Sequence, residues 1–360
     1  MHKNKRYIKG IYTSIIGIIL NFIIGFIKIL LSLKTHSISI LTDAVNNLTD
    51  MTSSIITMVG FKLSTKKPTK THPYGYARYE YISAFIISIF MLVMSTTFVI
   101  KSINKIINPE KLIINNVTFI VLFITLIIKI IQMYLYKITS KKINSSALKA
   151  SSIETRNDVM TNASIIISMI VMKKYNINID GYIGLIVSMI LLISSLKTSK
   201  EMLELLVGKI PNDEKIKEIK NQILSYKNVE DIHNLMIHNY GVGIDYITVH
   251  IEINSKINIM KIHELTNKIE KDFKKKDINI TIHIDPIIHN DKTNKLKNKI
   301  SKKIKNIDKN LVINDFIINE KNIFFNLIIP YDKEYTIEYI KEHLSNDYNY
   351  EINIERPYCE

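Results

Sequence analysis

Asp43-Ala44-Val45-Asn46-Asn47-Leu48-Thr49-Asp50 lies inside an otherwise apolar stretch at 37–63, and Glu154-Thr155-Arg156-Asn157-Asp158 interrupts a second one at 147–172. Ionisable side chains at bilayer depth are costly to desolvate, and their default meaning is an ion or substrate pathway. Asn46 and Asp50 are four residues apart, as are Glu154 and Asp158, so each pair shares one helix face. If the two faces meet, four oxygen-bearing side chains converge on one point, which suits a cation. Hydrogen-bonded glue between helices explains Asn47, Thr49 and Asn157, but it is a poor account of three buried carboxylates. Asn47 and Asn157 are therefore kept as entry or support residues, and Asp43 as either an entry group or a cap of the helix turn.

Working outward, a spanning helix needs about 20 mostly apolar residues. Six candidates run over 9–32, 37–63, 80–102, 113–138, 147–172 and 180–200, of which the second and fifth are the least apolar. Lys3, Lys5, Arg6 and Lys9 precede the first span; Lys62, Lys66, Lys67, Lys70 and Arg78 follow the second; Lys137, Lys141, Lys142 and Lys149 separate the fourth and fifth. The opposite loops hold fewer positive charges. Cationic loops stay in the cytoplasm, so both termini and everything after the sixth span are expected there, in an inner or plasma membrane. The apolar start lacks a small-residue cleavage site and reads as a retained first helix. Asn21, Lys28, Lys129 and Gln132 intrude into the first and fourth spans, where structural or charge-balancing roles are favoured over a water path.

The chain of 360 residues carries a net charge of +15. Its basic residues cluster at span ends and on amphipathic segments, so membrane topology explains them and nucleic-acid binding is not expected. The one cysteine, Cys359, excludes an internal disulfide or a thiolate cluster. There is no phosphate-cradling glycine loop, nucleophile motif or HExxH pattern, so an enzyme is not expected.

After Pro211 the pattern changes to helix 213–226, strands 229–238 and 244–254, helix 260–274 and strand 278–285. Period-2 alternation, as in Tyr246-Ile247-Thr248-Val249-His250-Ile251, marks the strands. This order predicts a ferredoxin-like α+β domain with an antiparallel sheet. Residues 294–355 repeat the order, ending in a strand at 349–355, with helix 333–346 preceding it. The expected fold class is thus a six-helix membrane domain (1–208), a ferredoxin-like domain (209–290) and a degenerate second copy (291–360). The second copy lacks the first copy's histidines, His343 aside, and is expected to be structural.

The Asp43–Asp50 segment, the His72-Pro73-Tyr74-Gly75-Tyr76-Ala77-Arg78-Tyr79-Glu80 segment and the Glu154/Asp158 helix together resemble the cation diffusion facilitator family. That resemblance covers roughly residues 8–290 and implies a six-span divalent-metal transporter with a cytoplasmic ferredoxin-like domain. It assigns the transport site to Asn46, Asp50, Glu154 and Asp158. Asn46 stands where zinc-selective members usually place histidine or aspartate, so the set looks like the manganese-exporting branch. That branch typically has two aspartates on the fifth helix, and Glu154 departs from it by one methylene.

Donor chemistry agrees. Zinc favours nitrogen and sulfur ligands, whereas carboxylate, carbonyl and water suit manganese; magnesium dehydrates reluctantly; iron(II) and cobalt(II) stay open. Protons are the expected counter-ion. In some relatives the loop after the second span holds zinc, but here His72 stands with Tyr76 and Thr69 in the other ligand positions, so strong binding is not expected. His233, His250, His263, His283 and Asp285 match positions that bind regulatory zinc between protomers in relatives, and His238 is expected to face away from His233. The leading expectation is a homodimeric manganese exporter in a lipid bilayer. The alternatives are a zinc, cadmium, iron or cobalt exporter of the same family, and a membrane-anchored metal sensor.

Overall fold

The computed structural model describes residues 2–35, 38–108, 116–175, 177–288 and 290–359. The chain divides into two compact units, Met1–Lys209 with Tyr240–Val242, and Ile210–Asn239 with Gly243–Glu360.

The first unit holds six long helices: α1 (His2–Thr35), α2 (Ile38–Ser64), α3 (Tyr79–Ile107), α4 (Asn116–Ile143), α5 (Ser146–Tyr175) and α6 (Asp180–Val207). At 1.5 Å per residue each is roughly 40 Å or longer, enough to cross a bilayer. Among the described residues, four qualify as spans by length and composition: Lys5–Leu33, Tyr79–Ile107, Val117–Ile143 and Asp180–Val207. The other two, α2 and α5, match them in length but carry the carboxylates and many hydroxyls. Their polarity is covered by neighbours, since α2 packs on α1, α3 and α5, and α5 packs on α3, α4 and α6.

The bundle is polar inside and apolar outside. Ser14, Asn21, Lys28 and Ser32 of α1 are buried, while Ile16, Ile19, Phe22, Ile23, Phe26 and Ile27 are exposed. Lipid solvates the aliphatic face, so the helices associate through small and hydrogen-bonding residues. Ser88, Ser95 and Ser102 of α3 and Gly181, Ser188 and Ser195 of α6 are buried, and the two helices pack tightly on each other. A Cβ on Gly184 would lie 2.8 Å from Ser102 Oγ, and one on Gly181 3.1 Å from the Ile106 backbone nitrogen, so glycine eases this close approach.

One end of the bundle is clamped by Arg6. Its guanidinium donates to both oxygens of the buried Glu80 (2.9 and 2.7 Å) and to the Ile143 carbonyl (2.8 Å), joining α1, α3 and the end of α4. Antiparallel helices bring the basic segments before α1, after α2 and between α4 and α5 to this same end.

The second unit contains two α+β copies. In the first, α7 (Asp213–Leu224) and α8 (Ile259–Lys275) cover a sheet of β1 (Asp231–Asn239), β2 (Asp245–Asn254) and β3 (Ile278–Ile287). In the second, α9 (Asp291–Ile307) and the short α10 (Ile337–Glu342) accompany β4 (Val312–Asn319), β5 (Asn322–Ile328) and β6 (Asn349–Glu355). Each sheet pairs its first two strands antiparallel and its last two parallel, because a helical crossover returns the chain in the same direction. The expected all-antiparallel sheet is corrected accordingly. The expected helix 333–346 is also shorter: Thr336 caps it, accepting from Tyr339 N at 3.3 Å, and it ends at Glu342.

Two cores result. Ile247, Val249, Ile251 and Ile253 of β2 pack with Ile219, Ile223, Ile269 and Phe273 of the helices, and Ile323, Phe325 and Leu327 of β5 pack with Ile300, Ile304 and Ile340. Cys359 closes the first core from the end of the tail, its N–H donating to the Leu235 carbonyl at 3.2 Å.

Candidate metal centres

Within the bundle, Asn46 and Asp50 of α2 and Glu154 and Asp158 of α5 line one cavity of about 80 Å3, together with Asn47, Asn157 and Lys129. A water molecule occupies about 30 Å3 of liquid and a drug-sized ligand needs several hundred, so this space suits an ion with a few waters. Asp50, Lys129 and Asp158 each sit roughly 18–25 Å along the axis from either end of their helices, near the middle of the span. The i,i+4 spacing of the two pairs turns each toward the same space.

A cation already stands between these acids. Lys129 Nζ of α4 is 2.7 Å from Asp50 Oδ2 and 2.9 Å from Asp158 Oδ2, and the side chain is 1% exposed. Sequence left Lys129 three readings; its position makes it the counter-ion that joins α2 and α5. Glu154 is held differently, accepting a 2.5 Å hydrogen bond from Ser53 Oγ. Behind the site, Tyr136 Oη lies 2.9 Å from Ser54 Oγ and accepts from Gln132 Nε2 at 3.3 Å. Asn157 lines the same cavity and is buried, and its Oδ1 has no hydrogen-bond partner. Asn47 is buried in the same wall. Asp43 belongs to α2, but its side chain lies outside the described residues.

His72 is confined to its own turn. Its Nδ1 is 3.0 Å from Thr71 Oγ1 and 3.2 Å from Tyr76 Oη, and its ring stacks on Tyr76. These neighbours are hydroxyls, which makes a weak site for a metal.

In the second unit, His233, His250, Asp285 and Asp315 each offer one ligand atom, all within 4.8 Å of one another. His250 Nδ1 is 3.0 Å from Asp285 Oδ2, and His233 Nε2 is 3.2 Å from Asp285 Oδ2 and 3.1 Å from Asp315 Oδ1. Burial alone would lower the His233 pKa, but the carboxylates of Asp315 and Asp285 push it up to about 10. His283 stands at the rim, 63% exposed, with Nε2 3.2 Å from Asp285 Oδ1 and its ring against His250. His263 does not join the group. It sits on α8, which packs on the apolar face of the sheet, and its Nε2 is 2.9 Å from Asn267 Nδ2 one turn along. The histidines occupy the opposite face, which excludes His263 within one chain.

Asp315 was missed from the sequence, and the reason is a β-bulge. In β1 the register slips between His233 and Met236, with Asn234 at φ 50°; in β4 it slips between Asn314 and Ile317, with Asp315 at φ 52°. Asn and Asp tolerate this left-handed region better than most residues. Each bulge changes the strand's alternation, turning His233 away from the core face and projecting Asp315. It also reverses the expectation for His238, which pairs with Tyr246 on the same face as His233, paired with His250. The sequence signal was an Asn or Asp interrupting an alternating strand.

A mid-membrane, acid-lined cavity that holds a cation and is too small for organic solutes defines a multi-pass membrane carrier for small cations. Comparison with known proteins agrees: residues 14–207 match the cation efflux transmembrane domain, and residues 211–287 match the cation efflux protein cytoplasmic domain. The chain belongs to the cation efflux, or cation diffusion facilitator, family, whose members move divalent cations and are transporters, not enzymes. It is similar to an uncharacterized transporter of Methanocaldococcus jannaschii, at 25% identity over 71% of this chain and 89% of the relative. It is similar to the manganese efflux system protein MneS of Bacillus subtilis, at 22% identity over 78% and 96%. A cadmium, cobalt and zinc/H(+)-K(+) antiporter of Bacillus subtilis shares 22% identity over 71% and 83%.

Proposed function

We propose that this transporter exports manganese(II) from the cytoplasm in exchange for protons, using Asn46, Asp50, Glu154 and Asp158 as the transport site. The carrying observation is Lys129, whose ammonium is held between Asp50 and Asp158 in the middle of the bundle. A buried site that stabilises one cation in this way is built for cations. Its acceptors are carboxylate and amide oxygens with no imidazole or thiolate, a donor set that favours manganese over zinc. Among the relatives, one is named for manganese efflux and others for cadmium, cobalt and zinc; a zinc, cadmium, cobalt or iron exporter is the second reading.

The mechanism follows from charge. With no metal, Lys129 pairs with Asp50 and Asp158, and Glu154, beside these acids in the same cavity, holds the exchangeable proton. An arriving dication needs Asp50 and Asp158, so the ammonium must be displaced, and its return helps to expel the metal on the far side. Asn157 Oδ1 supplies a further oxygen to the bound ion. Metal entry releases the Glu154 proton to the cytoplasm, and Glu154 takes up another from the far side as the metal leaves, which completes the exchange. The basic loops gathered at the Arg6–Glu80 end support an orientation with both termini and the α+β unit in the cytoplasm, in an inner or plasma membrane. The family match of the soluble unit supports a homodimer. Its His233, His250 and Asp285 cluster is a regulatory metal site, with zinc fitting two imidazoles and a carboxylate.

Proteoliposomes loaded with a pH dye and challenged with manganese, zinc, cobalt and iron(II) test this. Manganese uptake with proton counterflow is expected, lost in Asp50→Ala and Asp158→Ala. Undiminished flux in both variants would remove the transport-site assignment, and zinc uptake exceeding manganese would replace the cargo.

A further inference from the structure

We propose that the second α+β copy contributes Asp315 as a ligand to the cytoplasmic metal site, so that one metal ion staples the two tandem copies of a single chain together. This deepens the regulatory-site reading above and rests on it. Residues 291–360 lie beyond both family matches, which end at residue 287.

The two copies superpose position by position through their sheet registers. His233 pairs with His250, and Asn314 with Asn326; His250 pairs with His283, and Asn326 with Asn353; Glu252 pairs with Asp285, and Ile328 with Glu355. The second copy thus carries Asn314, Asn326, Asn353 and Glu355 where the first carries His233, His250, His283 and Asp285. The bulge residues Asn234 and Asp315 also correspond.

Contacts between the copies come in reciprocal pairs. Asn234 Nδ2 donates to Glu355 Oε2 at 2.9 Å, an amide meeting a carboxylate. At the equivalent place Asp315 faces Asp285, with ligand oxygens within 4.8 Å. Two carboxylates that close are held by a cation between them or by a shared proton, and in the metal-free chain the His233 ring, its Nε2 3.2 and 3.1 Å from them, stands in that place. In the amide half the carboxylates are met by amide donors: Asn326 Nδ2 donates to Asp315 Oδ2 at 2.7 Å and to Glu355 Oε1 at 3.0 Å, although Asn234 Oδ1 is buried without a partner. The histidine half lacks such donors. His233 is 6% exposed, and although its Nε2 is close to both aspartates, neither that nitrogen nor Asp315 Oδ1 makes a well-aligned hydrogen bond. Buried ligand atoms gathered at one point, His233 Nε2 and Asp315 Oδ1 among them without a hydrogen-bond partner, are what a metal centre requires. Two imidazoles and two carboxylates supply four ligands, a set that zinc accepts.

The consequence is regulation within one chain. The last residues already lie in the first copy's core through Cys359, so metal bound at Asp315 fixes the tail onto the domain that follows the transport bundle.

The full-length protein, with Asp50→Asn and Asp158→Asn added to silence the transport site, is titrated with zinc in detergent while maleimide labelling of Cys359 is timed. Zinc should bind and slow the labelling at least tenfold. Asp315→Asn should weaken binding on the order of 10- to 100-fold and abolish the protection, and Asp315→His, which restores a ligand, should recover both. Unchanged affinity and protection in Asp315→Asn would overturn the inference while leaving a first-copy site intact. Zinc binding absent from the Asp315-containing protein, or unaffected by Asp285→Ala, would instead overturn the regulatory site itself.

Discussion

Replacing Lys129 with Met should make the transporter bind its metal more tightly and release it more slowly. The ammonium lies 2.7 and 2.9 Å from the two aspartates. With an effective dielectric near 20, each attraction is about 6 kcal/mol before desolvation. Burying the ammonium costs several kcal/mol, which offsets much of that sum. A competing penalty on the order of 3 kcal/mol therefore remains for the metal to overcome, equivalent to roughly 100-fold in Kd. Removing the ammonium lifts the penalty and leaves two carboxylates unpaired, destabilising the metal-free protein by about 3–5 kcal/mol. Three readouts follow in the purified variant: a lower Kd for manganese, a larger metal-induced rise in Tm, and a lower maximal flux with a lower KM. Lys129→Arg keeps the charge and should keep the weaker affinity. A folded Lys129→Met protein whose manganese Kd is unchanged or raised would refute displacement and reduce Lys129 to a structural tie.

Further outcomes are open to measurement. Asn46→His places an imidazole in an otherwise all-oxygen set, and competition flux should shift from manganese toward zinc; an unchanged ratio would count against donor softness as the selector. Glu80→Gln leaves the Arg6 guanidinium without its ion partner and should lower stability by roughly 3–5 kcal/mol, read as a fall in Tm in detergent. In chelator-treated protein, His233 is held to about 10 against an ordinary 6.5. Its ion pairs contribute fully below about pH 6.5, and that contribution should fade as pH rises toward 10. The unfolding temperature of the α+β unit should therefore drop across that window, less steeply in His233→Gln; equal slopes would discount the ion pairs. Burial raises the Cys359 thiol, so alkylation of the folded protein at pH 8 should be far slower than in denaturant.

Apolar length, charge distribution and two i,i+4 polar pairs were legible along the chain because each depends on local spacing alone. They were enough to propose a membrane bundle with an acid-lined cation site, and period-2 alternation was enough to find both α+β copies. Partnership across the fold was not legible. Nothing in the neighbours of Lys129 distinguishes a snorkelling lysine from a counter-ion until α4 is packed against α2 and α5. The same holds for parallel pairing of β3 on β2, since a crossover helix and a return hairpin differ in direction, not in strand composition. His263 has the right residue type on the wrong side of a sheet, while Asp315 joins His233 from 82 positions further on. Both outcomes were settled by packing: which helix covers which sheet face, and where a single extra residue in a strand turns a side chain over.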